Sequence, residues 1–256
     1  MPQVKPLDTG PDAKVRQPKY PFRALPAHSI LVGTTGAGKS LTLIRTLMDK
    51  DKLGGMFDRF MIQSPNIFVD PQYKALIDYI EKTTGQRKDD FCFEEFDSAA
   101  IRQLMEDQKK SNAYLRKIGA KRLISACIVI DDFGERADLV RAHSSVINSL
   151  FSRGRHLQIS AFLLLQRFRM AGPTIRYNSH NIYCHRINNA KDIQNLAEEF
   201  GETVGGEDVF VQMYRRATSK RFGFLFITTG AEPHFFSSYQ SEFRIKAKEK
   251  EQDDSI

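Results

Sequence analysis

Residues 33–40 match the pattern G-x-x-x-x-G-K-[ST] at every position, and no other feature of the chain constrains its fold so strongly. Glycines let the backbone turn tightly, so that several N–H groups point at phosphate oxygens. An apolar run, 28–32, precedes the loop, and residues 40–50 repeat apolar side chains at helical spacing. The loop therefore joins a strand to a helix, which is the context in which this pattern binds phosphate.

The loop predicts a site for a nucleoside triphosphate, which we take to be ATP, together with Mg²⁺. Lys39 is expected to reach the β- and γ-phosphates, and Ser40 to hold the metal through its hydroxyl. The candidate nucleotide-binding residues run from the loop into the helix: Gly33, Thr34, Thr35, Gly36, Ala37, Gly38, Lys39, Ser40 and Leu41.

A second apolar strand, 127–130, ends in the two carboxylates Asp131 and Asp132. We expect Asp131 to bind the magnesium shell, usually through water, and Asp132 to polarise the attacking water as a general base. Hydrolytic proteins with this loop usually carry Glu at the second position. A shorter Asp132 must approach the water more closely, or Glu135 must assist.

Residues that sense or neutralise the γ-phosphate are expected downstream. Gln166 directly follows the apolar run 161–165, where a polar side chain can orient water; a surface glutamine is the alternative. An arginine supplied across a subunit interface can neutralise charge in phosphoryl transfer. Arg153 and Arg155 are the first candidates, with Arg176 and Arg186 behind them, and each could instead be structural or contact DNA.

The net charge of +7 is mild, but its distribution is uneven. Residues 139–191 contain no Asp or Glu and several arginines, and a second basic cluster, 215–221, is flanked by aromatic residues. Both segments are candidates for a surface that contacts nucleic acid. The alternatives are solvated arginines and, for the second cluster, a solvated hairpin.

No apolar run approaches the length of a membrane-spanning helix, and the polar, proline-rich start does not resemble a secretory signal. The three cysteines are scattered and odd in number, which favours a reducing, intracellular compartment. Cys127 and Cys184 lie in apolar runs and are expected in the core.

Predicted strands alternate with predicted helices, which favours an α/β fold with a mainly parallel sheet covered on both faces. The predicted helices include 73–82, 98–118, 139–151 and 191–200, with Gly201 capping the last. Residues 91–96 could be a strand or a loop. We divide the chain into an extended, unpacked arm (1–26), which holds six of the ten prolines, one domain (27–243) and a charged tail (244–256).

The order of motifs resembles the FtsK–HerA-type superfamily of DNA-pumping ATPases. The phosphate loop, the paired Asp131-Asp132 and the strand ending in Gln166 are followed by 174–178 and 181–186. The paired aspartates and residues 152–156, Ser-Arg-Gly-Arg-His, are most similar to the viral genome-packaging branch, which includes poxvirus-type ATPases. We expect no nuclease segment after the core and no membrane segment before it, which would also suit that branch.

This resemblance implies a RecA-like core with an additional strand and a ring of five or six subunits. It implies ATP hydrolysis coupled to threading double-stranded DNA into a preformed capsid, at viral assembly sites in the cytoplasm or nucleus of a host cell. Capsid proteins would then be partners. It also implies that Gln166 is a sensor and that an arginine near 153–155 or 176 acts in trans.

Two other classes remain open from the sequence. A nucleotide kinase would need an arginine-bearing lid and an acceptor site, and the arginines between 153 and 186 could form such a lid. A slow ATP-dependent assembly switch would not need Asp132. A transport ATPase of the ABC type is disfavoured because no L-S-G-G-Q-like signature precedes the acidic strand.

Overall fold

A computed structural model describes residues 14–133 and 145–244. Within these ranges a sheet has nine strands in the order β3-β2-β4-β5-β1-β6-β7-β8-β9. The strands are β1 (Ser29–Val32), β2 (Arg59–Gln63), β3 (Cys92–Phe93), β4 (Ala126–Ile130), β5 (Ile159–Leu165), β6 (Asn181–Cys184), β7 (Leu225–Thr228), β8 (His234–Ser237) and β9 (Ser241–Glu242).

Helices connect most of these strands. They are α1 (Lys39–Met48), α2 (Pro71–Thr84), α3 (Lys88–Phe91), α4 (Ser98–Lys117), α5 (Val146–Arg153), α6 (Pro173–Tyr177), α7 (Ala190–Phe200) and α8 (Glu207–Ala217). Three short 3₁₀ turns cover Gly154–Leu157, Phe168–Met170 and Glu202–Val204. In the two described ranges, no helix combines the length and the apolarity needed to cross a membrane.

The first six strands are parallel, and β7, β8 and β9 extend the sheet in antiparallel fashion. Strand β5 pairs with β1 on one side and with β4 on the other. The phosphate-loop strand and the acidic strand are therefore separated by one inserted strand. This order confirms the expected α/β fold with an additional strand in a mainly parallel sheet.

Buried side chains form two clusters, one on each face of the sheet. Along β4, Ile128 and Ile130 belong to one cluster, while Cys127 and Val129 belong to the other. The first cluster includes residues of α5, α7 and α8, and the second includes residues of α1 and α2. Burial on both faces explains why the central strands read as continuous apolar runs. Cys127 and Cys184 are fully buried, as expected.

The proline-rich segment is packed where it is described. Val15, Phe22 and Leu25 are buried against the cluster that includes α1 and α2. The side-chain amide of Gln17 brackets the backbone of Leu25, accepting from its N–H at 2.7 Å and donating to its carbonyl at 2.8 Å. The expectation of an unpacked arm is therefore wrong for residues 14–26: the prolines prevent a regular element, but the apolar residues between them still reach the core.

Other differences are local. Helix α5 begins at Val146, where Ser145 caps it by accepting from Asn148 N at 3.1 Å; residues 139–144 of the predicted helix lie outside the described ranges. Gly201 follows α7 as predicted, but in a right-handed conformation, with φ −63°. A Cβ there would lie 2.5 Å from the carbonyl oxygen of Ala197, so close packing and not a left-handed cap requires glycine.

Candidate active site

The phosphate loop joins β1 to α1. Gly36 and Gly38 have φ values of 76° and 97°, which favour glycine, and Gly38 immediately precedes α1. The loop is fixed to neighbouring strands, because Gly33 N donates to Leu165 O at 3.2 Å and Thr34 N donates to Arg186 O at 3.0 Å. Contacts within the protein therefore hold its backbone in a tight turn.

Lys39, the first residue of α1, folds back over the loop. Its Nζ donates to the carbonyl oxygens of Gly33 and Thr34 at 2.8 and 3.2 Å. Burial lowers the pKa of Lys39, while the carboxylates of Asp131 and Asp132 act in the opposite direction. An ammonium has three donors, so one remains for a phosphate oxygen.

Ser40 and Asp131 meet beneath the loop. Ser40 Oγ donates to Asp131 Oδ2 at 2.9 Å, although the two residues are 91 positions apart. Burial raises the pKa of Asp131, and the hydrogen bonds from Tyr73 and Ser40 oppose that effect. Mg²⁺ takes one or two protein oxygens and completes its shell with water and phosphate. A hydroxyl and a carboxylate in contact at the wall of a polar cavity fit this requirement.

Asp132 lies at the same wall with its side chain exposed. Its φ of 60° is in the left-handed region, which aspartate tolerates better than most residues. Asn66 Nδ2 donates to Asp132 Oδ2 at 3.1 Å and so orients the carboxylate. The general-base role remains a prediction, and Glu135 lies outside the described residues.

A cavity of about 350 Å³ connects these groups. Residues of the loop and the start of α1 line this cavity, and the segment after β2 contributes Asn66, Asp70, Gln72 and Tyr73. Phe222 completes the lining. This volume lies in the range of small-molecule sites.

No sequence motif marks Asn66, Tyr73 or Phe222 as residues of the nucleotide site. A topological signal exists for the first two, since they follow β2, which pairs with β4. Loops at the carboxyl ends of neighbouring parallel strands gather at one edge of the sheet, where ligands bind. No comparable signal places Phe222, which precedes an antiparallel strand.

Gln166 emerges at the same edge. It directly follows β5, whose Leu165 pairs with Val32 at the end of β1. The side chain is exposed and does not line the cavity. Its position between the phosphate loop and the acidic strand suits the expected sensor role, which remains a prediction.

Arg153 and Arg155 lie at the opposite edge of the sheet, just before β5 begins. Seven strand residues span roughly 20 Å, so neither arginine belongs to the cavity of its own subunit. Both are exposed, and Arg155 Nε donates to Pro26 O at 3.3 Å. A role in catalysis therefore requires a neighbouring subunit.

The two secondary arginine candidates are held within the subunit. Arg176 pairs with Glu199 at 3.6 Å and stacks over Phe168, with only 17% of its side chain exposed. Arg186 Nη2 donates to Thr218 O at 3.1 Å, while its own carbonyl accepts from Thr34 of the phosphate loop. Within the subunit, Arg176 packs against α7 and Phe168 and Arg186 supports the loop, and a role in trans stays a prediction for both.

The acid-free segment of the sequence is not acid-free in space. Arg167 and Arg169 pair with carboxylates of α7, at 3.6 Å from Asp192 and 2.6 Å from Glu198. On α8, Arg215 and Arg216 are exposed, and no carboxylate of the described ranges lies within 4.0 Å of either. The second pair therefore offers positive charge that is less neutralised by neighbours.

Solved structures share this architecture. EssC (ATPases 2 and 3) from Geobacillus thermodenitrificans has a TM-score of 0.51 and 14% identity, covering 68% of this chain and 35% of its own. B204, the DNA-packaging ATPase of Sulfolobus turreted icosahedral virus, has a TM-score of 0.50 and 12% identity, covering 82% of this chain and 96% of its own. The chain thus spans about a third of the EssC chain. At such identities the likeness concerns the fold alone.

Sequence comparison is more specific. A search of curated proteins found no significant match. The family model of the poxvirus A32 protein matches residues 18–231, which include every motif discussed above. This chain therefore belongs to the poxvirus A32 protein family.

Proposed function

We propose that this chain is an ATP-hydrolysing motor that moves double-stranded DNA and packages a viral genome into a preformed capsid. The contact between Ser40 and Asp131 beneath the phosphate loop carries the proposal, because it assembles the two halves of a hydrolytic site. The poxvirus family and the fold shared with a DNA-packaging ATPase supply the viral context. We place the protein at assembly sites inside the host cell, with capsid proteins as partners.

The chemistry follows from the cavity wall. Loop N–H groups and Lys39 bind the triphosphate, and Ser40 and Asp131 would hold Mg²⁺. Magnesium, when bound, neutralises charge on the β- and γ-phosphate oxygens. Asp132, oriented by Asn66, accepts the proton of the attacking water. Gln166 aligns that water from the end of β5.

A ring of five or six subunits completes the site. Arg153 and Arg155 lie at the edge of the sheet opposite the cavity, so a head-to-tail neighbour would bring them toward the next phosphate loop. Arg155 or Arg153 then stabilises the charge that develops during phosphoryl transfer. Hydrolysis therefore depends on assembly.

Double-stranded DNA contacts basic residues of the segments 139–191 and 215–221. Arg215 and Arg216 are the stronger candidates, because Arg167 and Arg169 are paired with acids of α7. Neutralising Arg215 and Arg216 together should weaken DNA binding at all sequences and lower the salt slope by about 2. An unchanged salt slope would exclude Arg215 and Arg216 as DNA contacts. The matched double control is Arg87→Gln with Arg102→Gln. Arg87 caps α3, Arg102 lies on α4, and both are exposed.

The first experiment measures ATP hydrolysis against protein concentration, with and without double-stranded DNA. The native protein should show a rate that climbs with assembly and with DNA, and Asp132→Asn should abolish most of it, since a general base contributes about 10²- to 10⁴-fold. Asp89→Asn makes the same chemical change at an exposed residue outside the cavity and should behave like the native protein.

The same assay separates the alternatives. A slow rate that ignores DNA, concentration and Asp132→Asn would support an assembly switch. Phosphate transfer that requires an acceptor nucleotide would support a kinase. Either result would contradict the motor.

A further inference from the structure

Phe222 occupies an unusual position beside the phosphate loop. It lies in the turn between α8 and β7, its φ is 59°, and 39% of its surface is exposed. Bulky residues rarely adopt this backbone conformation, and such outliers concentrate at functional sites. A phenylalanine kept only for core packing would be buried on a relaxed backbone.

The ring contacts the loop itself. A Cβ added at Gly38 would lie 2.8 Å from Phe222 Cδ1, so the ring rests against the bare backbone of that glycine. The guanidinium of Arg221 lies 4.8 Å from the ring centroid. Phe222 also lines the cavity, next to loop residues and Leu41. The aromatic face is therefore held at the rim of the triphosphate site.

The turn that carries Phe222 is tied to the loop by hydrogen bonds. Arg186 accepts from Thr34 N–H through its carbonyl and donates from its guanidinium to Thr218 O at 3.1 Å. The turn is closed by Gly223 N, which donates to Lys220 O at 3.0 Å. These hydrogen bonds therefore fix the position of the ring relative to a ligand bound on the loop.

We propose that Phe222 is the stacking platform for the nucleobase of the bound nucleoside triphosphate. This deepens the proposed function, on which it rests, by naming the group that binds the base. Phosphates on the loop leave the base as the flat, apolar part of the ligand, and aromatic side chains stack on such rings. Arg221, on the ring, adds a cation–π contact.

Stacking does not read the hydrogen-bonding pattern of a base, because every base presents a π face. Phe222 therefore raises the affinity for ATP and for GTP to a similar degree. The ring contributes nothing to a ligand that has phosphates but no base.

Calorimetry with Mg²⁺ and either ATP, GTP or inorganic tripolyphosphate tests the platform. Phe222→Ala should weaken ATP and GTP about 10- to 100-fold and leave tripolyphosphate within about twofold. Phe222→Tyr should restore nucleotide affinity, and Phe222→Leu should not. Tyr177→Ala, which removes a side chain that is 79% exposed and outside the cavity, is the matched control.

Two results would overturn the proposal. Equal weakening of ATP and tripolyphosphate would mean that the ring only supports the loop, and unchanged ATP affinity would mean that it does not meet the base. Thermal unfolding of each variant separates loss of fold from loss of binding. The motor proposal fails independently, if base-dependent binding is intact but hydrolysis ignores DNA.

Discussion

The hydroxyl of Tyr73, on α2, donates a hydrogen bond to Oδ2 of Asp131, at the end of β4. That oxygen also accepts from Ser40, so the phenol fixes the orientation of a carboxylate that we assign to magnesium. Removing a residue that hydrogen-bonds to a metal ligand usually lowers metal affinity or activity by about 10- to 100-fold.

Tyr73→Phe should therefore lower the affinity for Mg²⁺. With ATP saturating, the Mg²⁺ concentration that gives half of the maximal rate of hydrolysis should rise about tenfold. Titrating the rate with Mg²⁺ measures this directly. Tyr79→Phe is the control on the same helix, because its hydroxyl accepts from Gly55 N at 2.9 Å, away from the cavity. Equal magnesium dependence in both variants would show that Tyr73 only fills space.

Asn66 is expected to act on the turnover rate. Asn66→Ala removes the amide that donates to Asp132 at 3.1 Å, so the carboxylate stays in the site but loses the contact that orients it. We expect kcat to fall about tenfold, less than for Asp132→Asn, because the base itself remains. Gln72→Ala changes another residue that lines the cavity and should lower kcat less. A loss in Asn66→Ala confined to KM would contradict this role.

Subunit mixing tests the arginines. Arg155→Ala subunits have an intact cavity but no Arg155 to offer a neighbour, and Lys39→Ala subunits have Arg155 but a defective cavity. Each variant is therefore expected to be inactive alone. In a random mixture, about a quarter of interfaces would pair an intact cavity with an intact Arg155, and activity should reappear. Arg153→Ala is run in parallel, and Arg87→Ala, 83% exposed, should be active without mixing. No recovery with either arginine variant would exclude both as trans groups.

Acid should destabilise the fold through buried histidines. Burial lowers the pKa of His28 to about 3 and of His180 to about 4, with the Arg155 charge adding to both. Burial lowers the pKa of His185 to about 3, helped by Lys39. These histidines are neutral in the folded state and become protonated near pH 6.5 in the unfolded state. Their contribution to the free energy of unfolding is therefore present above pH 6.5 and is lost as the pH falls below it.

Each such histidine adds a slope of about 1.4 kcal/mol per pH unit below 6.5. Urea denaturation between pH 7.5 and 5 measures the combined slope. Asp49 and Glu242 have lowered pKa values, so their contributions are lost only at lower pH. His28→Gln should reduce the slope. A flat profile would mean that the histidines protonate in the folded state.

Much of the active site was predictable, because it consists of local patterns. The loop at 33–40 needs a fixed spacing of glycines, and Asp131 follows a buried strand, so the residues and their neighbours in sequence are sufficient. The contact between Ser40 and Asp131 then follows from a parallel sheet, whose strand ends meet at one edge.

What could not be predicted depends on contacts between distant segments. Tyr73 is the first residue of the predicted helix 73–82, and only the fold directs its hydroxyl to Asp131. Arg167 and Arg169 appeared unneutralised because their acidic partners come later in the chain, on α7. Residues 14–26 looked like a linker because composition shows the prolines but not the surface that receives Phe22.

That packed segment links the two ends of the domain. Phe22 lies against Phe226 and Tyr239, and Tyr20 OH donates to Glu242 Oε2 at 2.7 Å, across 222 residues of sequence. This hydrogen bond joins two residues that are far apart in the sequence, and it cannot form during synthesis until the β8–β9 hairpin has emerged. Tyr20 and Phe22 must therefore wait for strands β7 to β9, and the aromatic surface that they cover stays exposed until those strands have folded.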